Sequence, residues 1–167
     1  MTSARERRFR TIAQEATPIV GAYLQRRIYP LPISDVDDLV EETLIIAWRR
    51  LDDIPDEAPI AWMVGVARNV LRNAQRKARR GERALQRTRV EVTSASAEDR
   101  VVADEAVRNA LAHLSEDDRE IITLNAWDGL SSAEIATMYG ISPNAAAVRL
   151  SRAMERFRTH LALVVEV

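Results

Sequence analysis

Between Asp35 and Leu51 the chain reads DVDDLVEETLIIAWRRL, and its apolar positions leave little choice of fold. Val36, Leu39, Val40, Thr43, Leu44, Ala47, Trp48 and Leu51 recur at steps of three and four, the period of one helix face. The same period returns along almost the whole chain. Phe9, Ile12, Ala13 and Ala16 carry it, and Val20, Tyr23 and Leu24 resume it beyond Pro18, so one bent or two abutting helices are expected over about 6–28, with Thr17 and Pro18 as cap and first residue or as a kink. No segment alternates at period two for long enough to form a strand. The fold class is therefore all-α.

Punctuation residues divide the helices. YPLPIS, 29–34, connects the first to the second, which Asp35 is expected to cap. DDIPDEAP, 52–59, has two prolines and four acids and reads as a loop, and the helix from Ile60 to Arg80 is expected to end at Gly81. Over 81–103 the periodicity fades through VTSASAED, the best linker candidate, and helical spacing returns from Val101. LSEDDREIITLNAWDG opens with a Ser115 cap and closes at Gly129. Ser131 with Glu134 forms a capping box for a short helix that Gly140 ends, and Ser142 and Pro143 start a longer one. The expectation is two small helical domains, 1–80 and 104–167, joined by a linker over 81–103.

Composition removes several function classes. The 167 residues contain no cysteine, which excludes disulfides, thiolate metal sites and a cysteine nucleophile, and only His113 and His160 as histidines. No glycine-rich phosphate loop or nucleophile elbow is present. Asp37, Asp38, Glu41 and Glu42 could offer two carboxylates to magnesium, but the other nearby acids lie in the loop at Asp52, Asp53, Asp56 and Glu57. No enzyme, cofactor or metal is expected. No apolar run approaches a membrane span and RERRFR is not followed by a signal-peptide core, so a soluble cytoplasmic protein is expected. Trp48, Trp62 and Trp127 are expected to pack in or at the edge of the core.

Charge is segregated. The total is −1, yet residues 68–89 hold nine basic side chains against Glu82 alone, a local +8, which leaves −9 for the remainder. On the helix from Ile60, Met63, Val66, Ala67, Val70, Ala74 and Ala78 turn inward. Arg68, Asn69, Arg72, Asn73, Arg76 and Arg80 gather on the opposite face with no acid of their own segment beside them. A nucleic-acid backbone or plain solvation would each account for that face. The preceding helix turns Asp37, Asp38, Glu41, Glu42 and then Ile45 away from its apolar stripe, which suits either a docked protein or a solvated surface with one stray apolar residue.

In GLSSAEIATMYGISPNAAAVRL, Ala136 is the small residue where two backbones close, Gly140 supplies the corner, and Ile135, Tyr139 and Ile141 share a core. This is the pattern of a helix-turn-helix or of a purely structural hairpin. Ala146, Leu150, Ala153, Phe157 and Leu161 then face inward, leaving Asn144, Val148, Ser151 and Arg152 outside with Arg149 at the flank. A major groove would meet these residues, by base or phosphate contact. Arg156 and Arg158, further along, would meet phosphate or water.

At these residues the chain resembles the extracytoplasmic-function group of bacterial sigma factors. DDLVEETLIIAWRR is similar to region 2.2 of that family, APIAWMVGVARNVLRNAQRKARR to regions 2.3 and 2.4, and LSEDDREIITLNAWDGLSSAEIATMYGISPNAAAVRLSRAMERF to region 4. The resemblance implies that Asp38, Leu39, Glu41, Glu42 and Ile45 dock on the β′ coiled coil of core RNA polymerase. It implies that the loop 52–59 and the helix bearing Arg68, Asn69, Arg72, Asn73 and Arg76 open and hold the non-template strand of the minus-ten element. It further implies that region 4 sits on minus-thirty-five promoter DNA while contacting the β flap, that the linker threads toward the RNA exit path, and that an anti-sigma partner regulates the whole. Glu41, Ile46, Asn73, Ala147 and Val148 depart from the common family residues. Ala147 and Val148 stand where the family often has a basic residue and serine, which shifts weight to Arg149, Arg152 and thymine methyl contacts. The alternative is a polymerase-independent helix-turn-helix regulator.

Overall fold

In the computed structural model, residues 3–85 and 103–165 are described. Seven helices follow one another: α1 (Ala4–Arg27), α2 (Val36–Arg49), α3 (Pro59–Leu85), α4 (Ala103–Ala112), α5 (Glu116–Ala126), α6 (Ser132–Tyr139) and α7 (Pro143–Val165). Short 3-10 turns occupy Ile33–Asp35 and Leu51–Asp53, and there is no strand among the described residues. Packing divides the chain into two compact units. Most of the expected linker, residues 86–102, lies outside the described residues, as does Val101.

The first unit is a three-helix cluster in which α1, α2 and α3 pack against one another. Ala16, Val20, Tyr23 and Leu24 of α1 are buried, as are Val36, Leu39 and Ala47 of α2 and Met63, Val66, Ala67 and Val70 of α3. Val64 and Leu71 are buried too, so α3 hides a wider sector than its periodicity suggests. Leu24 is fully enclosed, and Leu24→Ala is expected to cost about 2–5 kcal/mol of stability, read as a lower urea midpoint.

Three local expectations are corrected, and of the two alternatives for α1 the single helix is found. α1 is one continuous helix with Pro18 inside it. The carbonyl that loses its partner to proline belongs to Gln14, an exposed residue, and Thr17 is no cap: its hydroxyl donates to the Ala13 carbonyl at 2.6 Å. The start of α1 is instead closed by a capping box, Ser3 Oγ accepting from the Glu6 amide and Glu6 from the Ser3 amide. Asp35 makes no capping hydrogen bond, because the 3-10 turn at Ile33–Asp35 runs directly into α2 and the Val36 amide bonds Ile33. Gly81 does not end α3, since Glu82, Arg83, Ala84 and Leu85 continue it as good helix formers.

The second unit packs α7 against α4 and α5. Its corners are built as the sequence predicts. Ser115 Oγ accepts from the Asp118 amide at 3.1 Å, and Gly129 and Gly140 take φ of +70° and +65°, conformations that glycine adopts without a Cβ penalty. Arg119 donates to the carbonyls of Leu111, Ala112 and Leu114, sealing the end of α4. Trp127 is not a core residue. It is 60% exposed, because α5 stops at Ala126 and the chain turns at Gly129 before the stripe reaches it.

Candidate nucleic-acid and protein interfaces

α2 has two chemically distinct sides. Val36, Leu39, Thr43 and Ala47 line the inside, and buried Thr43 satisfies its hydroxyl by donating to the Leu39 carbonyl at 2.7 Å. Asp38, Glu41, Glu42 and Ile45, spaced at i, i+3, i+4 and i+7, form one exposed strip with Asp37 beside it, and Ile45 is 50% exposed. Leu39, expected among the docking residues, is corrected: its side chain is 6% exposed and belongs to the core, because position 39 falls on the inner period shared with Val36 and Thr43. Trp48 lies at the rim, 38% exposed and edge-on to Phe9 at 5.2 Å between centroids.

The basic face of α3 has the predicted composition. Asn69, Asn73, Arg76 and Arg80 are exposed, and Arg68 and Arg72 are half-buried. Gln75 fastens this helix to the end of α1, its Nε2 donating to the carbonyls of Arg27 at 2.9 Å and Tyr29 at 2.8 Å. The helix is thus held at its middle by a polar stitch that sequence periodicity does not reveal.

The loop ahead of α3 is also fixed. Ile54 and Leu51 point inward, 3% and 1% exposed, while Asp52, Asp53, Asp56 and Glu57 stand in solvent. Pro59 occupies the first position of α3, where its missing amide hydrogen costs nothing, and the Trp62 amide bonds the Ala58 carbonyl.

In the second unit, α6, the corner and α7 form a helix-turn-helix. Ile135 and Ala136 are buried, and the Ile141 amide reaches back to the Ala136 carbonyl at 3.0 Å. The capping box at Ser131 and Glu134 is complete, and Ser142 Oγ accepts from the Ala145 amide at 3.1 Å to open α7. Ala146 and Ala153 are buried, leaving Asn144, Val148, Arg149, Ser151 and Arg152 exposed together over the first turns of α7. Arg156 departs from expectation: its Nη1 donates to Asp118 at 2.7 Å, tying α7 to α5. His113 and His160 stack at 5.5 Å between centroids. No helix among the described residues is long and apolar enough to cross a membrane, and no group of three or more acids or histidines could hold a metal ion there.

The described residues thus carry an acidic strip on one helix, a basic face on the next and a helix-turn-helix. Residues 17–81 match the family described as Sigma-70 region 2, and residues 104–157 match Sigma-70, region 4. The chain is 30% identical over 140 residues to the RNA polymerase sigma factor CnrH of Cupriavidus metallidurans, covering 76% of this chain and 73% of that one. It is 33% identical over 139 residues to the ECF RNA polymerase sigma factor SigL of Mycobacterium tuberculosis, covering 77% and 75%. A solved structure of the sigma factor RpoE with the anti-sigma factor NepR from Bartonella quintana superposes with a TM-score of 0.62 at 25% identity, over 92% of this chain and 96% of that one. CnrH in complex with the cytosolic domain of CnrY gives 0.57 at 28% identity, over 93% and 88%.

The chain belongs to the extracytoplasmic-function family of RNA polymerase sigma factors, which direct core polymerase to promoters and initiate transcription. Both regions occur in family order, which leaves the polymerase-independent regulator without support.

Proposed function

We propose a division of that work among three surfaces. The α2 strip of Asp38, Glu41, Glu42 and Ile45 docks on the coiled coil of the polymerase β′ subunit. The α3 face of Arg68, Asn69, Arg72, Asn73 and Arg76, with the loop 52–59, holds the non-template strand of the minus-ten element. Asn144, Val148, Arg149, Ser151 and Arg152 meet the minus-thirty-five element in its major groove, while the same unit contacts the β flap.

One observation carries this reading: within one three-helix unit, exposed carboxylates lie on one helix and exposed cations on the next. An acidic surface is repelled by phosphate and a basic one attracts it, so the two must meet different partners. The free chain binds duplex DNA poorly because its negative remainder opposes its basic helix. Docking on polymerase covers the acids and releases the basic face for promoter DNA. The complexes of RpoE with NepR and of CnrH with CnrY support an anti-sigma partner for this chain as well.

In-vitro transcription with purified core polymerase on a promoter library tests the reading. Sequence-selective initiation that depends on the added chain is expected; its absence on every promoter sinks the proposal. Arg149→Ala with Arg152→Ala is expected to weaken initiation roughly 10-fold or more on promoters that keep a minus-thirty-five element, measured as run-off transcript yield.

A further inference from the structure

Three of the four acids in the loop before α3 meet arginines. Asp52 accepts from Arg5 Nη1, Asp56 from Arg8 Nη2 and Asp53 from Arg50 Nε, each at 2.8 Å. All three arginines do more than pair charge. Arg8 Nη1 donates to the Leu51 carbonyl and its Nη2 to the Ile54 carbonyl, both at 2.7 Å, so one planar guanidinium grips both ends of the turn. Arg5 Nη2 donates to the Trp48 carbonyl at 3.1 Å, and its guanidinium lies 5.4 Å from the Trp48 ring. Arg50 sits 5.4 Å over Trp62, in the first turn of α3.

The loop is thus pinned from two sides. Leu51 and Ile54 anchor it in the core, and from the first two turns of α1 Arg8 holds its backbone while Arg5 holds the Asp52 side chain and the last turn of α2. The acids also pose an electrostatic problem. Any phosphate chain seated on the loop itself meets four carboxylates, which repel it. Three bound guanidiniums offset most of that charge. Both Arg5 and Arg8 precede the stretch matched as region 2.

We infer that Arg5 and Arg8, with Arg50, form a clasp that holds the loop 51–58 in the shape and charge balance needed to receive single-stranded promoter DNA beside α3. The inference rests on the proposed reading of α3 and this loop as the strand-holding site. Arg5 and Arg8 are positioning residues, acting through the loop. Asp52 and Asp56 are exposed, so these ion pairs add little to stability, and their loss shows in loop geometry.

The test uses the full chain assembled with core polymerase on a promoter carrying 2-aminopurine in the minus-ten element, so that fluorescence reports strand opening. Arg8→Ala is expected to slow opening roughly 10- to 100-fold while polymerase affinity stays within about 2-fold of the parent. Arg8→Lys keeps a cation beside Asp56 but cannot fork to two carbonyls, and is expected to recover only part of the rate. Base preference at the minus-ten element should flatten in both variants, a change that general loss of stability does not produce. Undiminished opening, or polymerase affinity that falls in step with opening, overturns the clasp. If Arg8→Ala does not fold, Arg8→Lys carries the test alone, and parental opening there is the refuting result. Arg72→Ala with Arg76→Ala separates the two layers. If that pair opens DNA normally, the strand-holding site itself is misassigned; if it fails while both Arg8 variants open normally, only the clasp is lost.

Discussion

Loss of core polymerase binding is the expected result for the Asp38→Arg, Glu42→Arg double variant. Both side chains are exposed on the strip that ends at Ile45, so the exchange leaves the core of the first unit untouched and the chain still folds. If the proposed docking surface is complementary to two anions, placing two cations there is expected to cost about 3 kcal/mol or more, a fall in affinity of roughly 100-fold. Pull-down of core polymerase by the tagged chain reads the effect directly, and transcription falls with it. Equal affinity in variant and parent would refute the assignment of α2 as the docking helix.

Arg72→Ala with Arg76→Ala gives the complementary result. Polymerase association is expected to be retained, because α2 and its strip are unaltered, while open-complex formation on a duplex promoter is expected to be lost. The charge removed comes from the middle of α3, whose own sequence from Ile60 to Arg80 carries no acid. Each phosphate contact to a single strand contributes about 0.7 to the slope of log affinity against log salt, so removing two lowers that slope by about 1.4. Titrating holoenzyme binding to a fork-junction promoter at several salt concentrations measures it. An unchanged slope would show that neither arginine meets phosphate.

Helix identity and orientation were legible in this sequence because periodicity was strong and unbroken. Val36, Leu39, Thr43, Ala47 and Leu51 of the stripe, and Met63, Val66, Ala67 and Val70 of the inward set, are buried where a period of 3.6 puts them, and the helix-turn-helix corners could be read from Ser131, Glu134, Gly140 and Ser142 alone. Breakers were less informative. Pro18 and Gly81 sit inside helices, whereas Gly129 and Gly140 end them, and the difference lies in context: good helix formers follow Gly81, while the later glycines take positive φ. Long-range polar contacts left no local signature. Arg8 reaches residues 43 to 48 positions away, and Gln75 reaches back 46 and 48. Leu39 illustrates a different gap, since a family motif names a position without saying whether its side chain recognises a partner or supports the helix that does.

Thr43 has a consequence beyond packing. Its fully enclosed hydroxyl closes on the Leu39 carbonyl one turn back in the same helix, the usual way for a threonine in mid-helix to satisfy its donor. No hydrogen bond from Thr43 therefore has to be matched by a polar group on α1 or α3. Paralogous descendants could exchange the outward side chains and drift toward new binding specificities without any compensating change inside the bundle.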